Sequence, residues 1–201
     1  MARYTGPKNK LARKIGEDLG LKTNALKVAK RLGIRPGQHG AKGRRKVSDY
    51  GVQLKEKQKV KYIYGIMEKQ LRHLYETASK NPTATGAALL SLLERRIDNT
   101  IYRLGFAPTR ASARQLVNHG HVLVNGKKMS IPSYKVGVDD VLTLKLKTTS
   151  IPVVAALLKE EGHVPAWLER KGPAGKVVRL PQREDIQEVI DEQLIVEFYS
   201  R

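Results

Sequence analysis

Thr109-Arg110-Ala111-Ser112-Ala113-Arg114-Gln115-Leu116-Val117, followed by Val122-Leu123-Val124-Asn125-Gly126, decides how this chain folds. A Thr ahead of Ala113, Leu116 and Val117 at helical spacing marks an N-cap and a helix through Asn118 with one apolar face. Gly120 ends it. Val122 and Val124 alternate into Asn125-Gly126, a pair suited to the two left-handed positions of a tight hairpin. Upstream, Leu89, Leu93, Ile97, Ile101 and Leu104 recur every three or four residues, which predicts a helix over 87–104 with Gly105 as its C-terminal cap. Downstream, residues 141–146 read as a second, longer strand. Together these segments predict a helix–helix–small-sheet unit over 92–150.

Further out, residues 48–80 read as helix, capped by Ser48 or Asp49. Val60, Ile63, Met67, Leu71, Leu74 and Ala78 form one stripe, Gly65 is a breaking point, and Asn81-Pro82 ends the element. Beyond residue 150 the pattern predicts a helical turn at 153–159, a buried Trp167, a helix over 185–193 beside acidic side chains, and an apolar tail, Leu194 to Tyr199, packed on the 48–90 helices. The fold class expected is α+β, mainly α. A discontinuous helical domain, 48–91 with 151–201, receives the 92–150 domain as an insertion. Residues 1–47 read as a basic arm without core periodicity, with a short helical piece at 26–32. Such an arm becomes ordered on its partner, and its removal is expected to leave the core folded.

The net charge is +19, from 38 Lys and Arg against 19 Asp and Glu. A surface this positive calls for a polyanion, and nucleic acid binds such surfaces largely by releasing counterions. The charge is uneven. Residues 1–50 carry 14 basic and 3 acidic side chains, whereas residues 151–201 carry 7 and 9. The polyanion is therefore expected to meet the first three quarters of the chain. Absence of Cys excludes disulfides and thiolate metal sites. No apolar run approaches the roughly 20 residues of a membrane span, and Met1-Ala2-Arg3-Tyr4 lacks a signal-peptide stretch, so the cytosol or an organelle matrix is expected.

Candidate RNA-binding residues follow from these elements. With both apolar stripes turned inward, Arg95, Arg96, Asn99, Arg103, Arg110, Arg114 and Gln115 are left for an outer face. Thr109 and Ser112 stand at the N-terminus of the second helix, His119 at its end, and Asn125, Gly126 and Lys127 at the hairpin. Guanidinium groups fork onto phosphate oxygens, and a helix N-terminus adds backbone N–H groups. Such a face suits a folded RNA read by shape and 2′-hydroxyls. In the 48–80 helix, Lys55, Lys57, Lys59 and Lys61 alternate and so spread around the helix; some face RNA and some solvent. In the arm, Arg3, Lys8, Lys10, Arg13 and Lys14 join the run Lys42, Arg44, Arg45 and Lys46, beside a Gly-rich turn that lets backbone approach closely.

The 109–126 string resembles an RNA-binding domain shared by the fourth small-subunit ribosomal protein, pseudouridine synthases, a tRNA synthetase and a heat-shock protein. Met1-Ala2-Arg3-Tyr4, Pro36-Gly37-Gln38-His39-Gly40, Ser48-Asp49-Tyr50-Gly51-Val52-Gln53-Leu54, Leu92-Leu93-Glu94-Arg95-Arg96-Ile97-Asp98-Asn99 and Leu194-Ile195-Val196-Glu197 are similar, in order and over nearly the whole chain, to the bacterial or organellar form of that ribosomal protein family. The resemblance implies a primary binder of small-subunit (16S-type) ribosomal RNA at a multi-helix junction of the 5′ domain, early in subunit assembly. Residue by residue, it implies RNA contacts at Gly37, Gln38, His39 and Gly40 with Lys42–Lys46, along Tyr50–Lys61 with Tyr50, Gln53 and Gln58 among them, and on the Arg95–Asn125 surface. It implies a place beside the fifth small-subunit protein near the mRNA entry channel, with a bearing on translational accuracy. Some members repress their own translation, which makes messenger RNA a further partner. Many members carry a four-Cys zinc site in the arm; this chain resembles the zinc-free form, whose arm RNA alone must order.

Nothing in the sequence points to catalysis or a cofactor. His119 and His121 flank Gly120 without further ligands, no HExxH occurs, and Gly33 to Gly43 lacks the GxxxxGK[ST] order of a phosphate-cradling loop. Asp139-Asp140 reads as a turn. One rival is an RNA-modifying enzyme that uses the 92–150 unit for targeting, but little chain remains for a catalytic domain. A second rival is a free stress-response RNA binder, which would be absent from isolated small subunits.

Overall fold

Leu11, Ala12, Ile15 and Leu19 recur at three- and four-residue spacing, and all four are buried in the computed structural model. The structure describes residues 3–40, 47–81, 84–160 and 162–201. The N-terminal segment is thus not a featureless arm. It forms α1 (Lys8–Ile15), ended by Gly16 at φ 83°, and a short α2 (Ala25–Ala29), where the Asn24 side chain accepts from Lys27 N–H at 3.0 Å. Arg13 donates to the carbonyls of Ile34 and Arg35, at 2.8 and 3.1 Å, and so ties the following loop to α1. A stripe of only four apolar residues among cations is enough here, because α1 packs on the helix that starts at Asp49 and Glu17 pairs with Lys59 at 2.7 Å.

That helix is α3 (Asp49–Ile63), capped by the Ser48 hydroxyl, which accepts from Gly51 N–H at 3.3 Å. Gly65, left-handed at φ 61°, separates it from α4 (Glu68–Ala78). Val60, Ile63, Leu71, Leu74 and Ala78 are buried, but Met67 is exposed. It occupies the extended N-cap position of α4 and leaves the stripe there. The chain divides into two units, Met1–Gly86 with Val189–Arg201, and Ala87–Glu188.

In the second unit the predicted 87–104 helix is two helices, α5 (Thr85–Glu94, beginning in the first unit) and α6 (Ile97–Arg103). Arg96 is extended between them and bridges Lys135, with Ile97 N–H on the Tyr134 carbonyl and Val136 N–H on that of Arg95, both at 2.9 Å. The apolar residues stay in register across the break. α7 (Arg110–Asn118) begins at Thr109, whose hydroxyl accepts from Ser112 N–H at 3.2 Å, and packs on α6. β1 (Val122–Val124) turns through Asn125 and Gly126, both left-handed at φ 48° and 79°, into β2 (Lys127–Met129).

β3 (Val141–Leu144) ends two residues early. Lys145 stands at the N-cap position of α8 (Leu146–Thr149), and Leu146 is exposed before α9 (Pro152–Lys159). β4 (Leu168–Lys171) and β5 (Ala174–Val177) complete an antiparallel sheet of order β2-β1-β3-β5-β4. β5 pairs β3 in the register Val141↔Lys176 and Thr143↔Ala174. Trp167 and Val177 belong to the same core as Ile97, Phe106 and Leu142. The second unit runs on past residue 150 to Glu188, because the 168–177 hairpin is part of this sheet. Gly175 permits the packing: a Cβ there would lie 2.6 Å from the Leu104 side chain.

The helix expected over 185–193 is absent. A single 3₁₀ turn at Arg183–Asp185 precedes irregular chain, and α10 (Glu192–Tyr199) starts where Asp191 accepts from the N–H groups of Gln193 and Leu194, at 3.0 and 3.3 Å. α10 packs on α3 within the first unit. Among the described residues the architecture is mainly helical with one small antiparallel sheet, which lies in the second unit.

Candidate nucleic-acid interface

In the second unit, four residues expected on an outer face are turned inward. Arg96, Asn99, Arg103 and Arg114 are only 4%, 2%, 8% and 4% exposed. Arg96 forks onto Asp98 at 3.1 and 2.8 Å, and Arg114 reaches the same carboxylate at 3.3 Å. Arg103 forks onto Glu94 at 2.9 and 2.8 Å and meets Glu188 at 2.5 Å. Arg110, half-buried, donates to Asn99 Oδ1 at 2.8 Å and Glu188 at 2.5 Å, and lies 4.5 Å over the Tyr102 ring. Asn99 in turn donates to the Glu94 carboxylate at 2.8 Å. A helical wheel turns charge outward by default; here Glu94, Asp98 and Glu188 meet the four guanidiniums and make an inward orientation tolerable.

The surface of this unit is carried by other residues. Gln115, His119, Asn125, Gly126 and Lys127 are exposed. Thr109 and Ser112 are half-buried at the start of α7, and Arg95 is half-buried with its Nε on the Val136 carbonyl at 3.0 Å. The Asn125 amide is occupied in the fold, donating to Asp140 and accepting from Val141 N–H. Two cations went unnoticed in the sequence, Lys128 and Lys135, both exposed. The Lys128 stem crosses Gly120, whose absent side chain leaves it room, and so sets an ammonium group at the C-terminal end of α7, where a positive charge is favourable. The doublet Lys127-Lys128 directly after Asn125-Gly126 was the signal.

In the first unit, the alternating lysines divide as their spacing requires. Lys55 and Tyr50 are exposed, whereas Gln53, Lys57 and Lys59 are buried. Lys57 meets Glu68 at 2.7 Å and lies 4.5 Å over the Phe198 ring; half-buried Lys61 reaches the same carboxylate at 3.2 Å. Lys59 meets Glu17, and Gln53 donates to Glu197 at 2.9 Å. Burial would raise the Glu68 carboxyl, but hydrogen bonds from Lys57 and Tyr199 and the nearby charge hold it below its ordinary value. Gln58 is half-buried.

Arg3, Lys10 and Lys14 are exposed, and Arg13 is tied to the loop carbonyls. Half-buried Lys8 has its ammonium pushed to lower pKa by burial and by the charges of Lys22 and Arg3. Gly37, at φ 112°, and Gly40, where a Cβ would meet the Arg35 carbonyl at 1.8 Å, form a tight turn that exposes Gln38 and His39. Lys22, Lys27, Lys30, Arg31 and Arg35 add exposed cations that the composition of residues 1–50 foreshadowed without singling out. Lys42, Arg44, Arg45 and Lys46 lie outside the described residues.

Among the described residues, no three His, Asp or Glu side chains gather as metal ligands, and no helix is long and apolar enough to cross a membrane. What the arrangement offers is cation density on both units, suited to phosphate.

Comparison with known proteins gives two matches to family models: a ribosomal protein S4/S9 N-terminal domain over residues 3–94, and an S4 domain over residues 95–142. The chain is 50% identical over 208 residues to the small ribosomal subunit protein uS4 of Chloroflexus aurantiacus, with all of both chains covered. It is similar at 50% over 204 residues to that of Parabacteroides distasonis and at 48% over 203 residues to that of Brevibacillus brevis, again with both chains covered completely.

Proposed function

We infer, because the chain belongs to the uS4 family of small-ribosomal-subunit proteins, that it is a structural, RNA-binding constituent of that subunit and not an enzyme. Its partner is small-subunit ribosomal RNA of the 16S type, met at a multi-helix junction in the 5′ domain, where it nucleates assembly. Its protein neighbours are the fifth small-subunit protein and others near the mRNA entry channel, where it contributes to translational accuracy. Messenger RNA, its own included, is a second ligand of the same surfaces. It works in the cytoplasm, within the ribosome.

The observation that carries this reading is where the excess charge resides. Ten of the nineteen acidic side chains sit in ion pairs among the described residues. The excess of cations is therefore displayed at the surface, along residues 3–40 and at the α7 end with the β1–β2 hairpin. The segment 92–150 presents the second of these surfaces and serves as the RNA-binding domain. A transcript of the small-subunit RNA 5′ domain, titrated over a salt series, tests the reading. Affinity should fall steeply with salt. A folded chain that ignores the transcript at low ionic strength would refute it.

A further inference from the structure

Glu188 places one carboxylate on two guanidiniums, Arg103 and Arg110, each at 2.5 Å. Two anionic oxygens between two guanidinium donors is also how arginine receives a phosphodiester. The two acids on Arg103 are not equivalent. Glu94 projects from α5 with its side chain 1% exposed, whereas Glu188 is 20% exposed and lies on chain that forms neither helix nor strand. Glu188 can leave without breaking a backbone ladder; Glu94 cannot leave without opening the core. Both guanidiniums stay positioned when Glu188 leaves. Arg103 keeps its fork on Glu94, and Arg110 keeps Asn99 and the Tyr102 ring. An incoming phosphate would replace one anion by another, so no buried charge is stranded.

We propose that Arg103 and Arg110 form a binding site for an RNA backbone phosphate, which Glu188 occupies in the free protein and vacates when RNA binds. The proposal rests on the RNA-binding reading above. The Glu188 carboxylate is an internal competitor: it keeps the site assembled and lowers the affinity for weakly matched polyanions.

The test compares the full chain with Glu188→Gln, Glu184→Gln and Arg110→Gln, each titrated with the 5′-domain transcript over a salt series. Glu184 is exposed on the same segment, so Glu184→Gln measures the effect of removing one negative charge. Expected is about tenfold tighter binding by Glu188→Gln than by Glu184→Gln, with the wild-type salt slope kept, because the same phosphates are neutralised. Arg110→Gln should lower the slope by about 0.7 to 0.9. Equal affinities for the two Glu variants, or a steeper slope for Glu188→Gln, overturns the displacement while wild-type binding upholds the reading; loss of wild-type binding overturns both. Hydrogen exchange on the wild-type chain gives a readout independent of any variant's folding. Amides at 186–191 should exchange faster in the RNA complex, and slower exchange there contradicts the proposal.

Discussion

Arg103 grips Glu94 through Nε and a terminal nitrogen, at 2.9 and 2.8 Å, with both side chains withdrawn from water. Taking two charges into a core is costly, and only close pairing with further hydrogen bonds, here from Asn99, makes it tolerable. Removing Glu94 leaves Arg103 with one carboxylate in place of two and takes the side-chain acceptor from the Asn99 amide. Glu94→Ala is expected to destabilise the protein by about 3–5 kcal/mol, seen as a lower urea midpoint with little change in slope. A loss below about 1 kcal/mol, the level of an exposed pair, would show that the pair is hydrated in solution.

Glu188 links stability to pH. Burial alone would raise its carboxyl, but the charges of Arg110 and Arg103 and their hydrogen bonds outweigh burial and hold it at about 2, below the ordinary 4.5. A folded-state value below the unfolded one means that the contribution is complete above about pH 4.5 and is lost as pH falls toward 2. The difference corresponds to roughly 3 kcal/mol. The melting temperature of the wild-type chain should therefore fall more steeply between pH 4.5 and 2 than that of Glu188→Gln. Parallel curves would mean that the carboxylate gains nothing from its two partners.

The N-terminal segment is expected to support the first unit, contrary to its reading as an arm. Leu11 and Ile15 are buried, and truncating a buried aliphatic side chain costs about 2–5 kcal/mol. Leu11→Ala with Ile15→Ala should lower the melting temperature by several degrees, and deletion of residues 1–47 should lower it further. An unchanged transition after deletion would restore the view of this segment as an appendage.

What the sequence revealed follows the range of each signal. Local signals read correctly: Thr109 as a cap, Asn125-Gly126 as a hairpin, Gly65 and Gly105 as ends of helices, Leu89 to Leu104 as core. Each depends on neighbours a few residues away. Long-range pairing was invisible. Arg110 and Glu188 are separated by 78 residues, and no periodicity could show that an acid would draw Arg103 inward. The 168–177 hairpin was missed because Leu168-Glu169-Arg170-Lys171 carries one buried apolar residue and Ala174-Gly175 lacks strand propensity, although the neighbouring β3 edge supplies the pairing. In the N-terminal segment, one helical stripe of four residues was outweighed by the cations around it.

The inward turn of Arg114 changes which substitutions can probe the RNA surface. Arg110→Glu with Arg114→Glu, a natural choice when both are assumed exposed, would set a carboxylate against Asp98 in a dry site and unfold the second unit. Lys127 and Lys128 are exposed and lie in no ion pair among the described residues. Lys127→Glu with Lys128→Glu should therefore lower thermal stability only slightly, by about 1 kcal/mol, the cost of reversing the Lys128 charge at the C-terminal end of α7. If each ammonium neutralises one phosphate, the magnitude of the salt slope should fall by about 0.7 to 0.9 per residue, together with the affinity for the 5′-domain transcript. An unchanged slope in the folded double variant would move the contact away from the hairpin and onto the cations of residues 3–40.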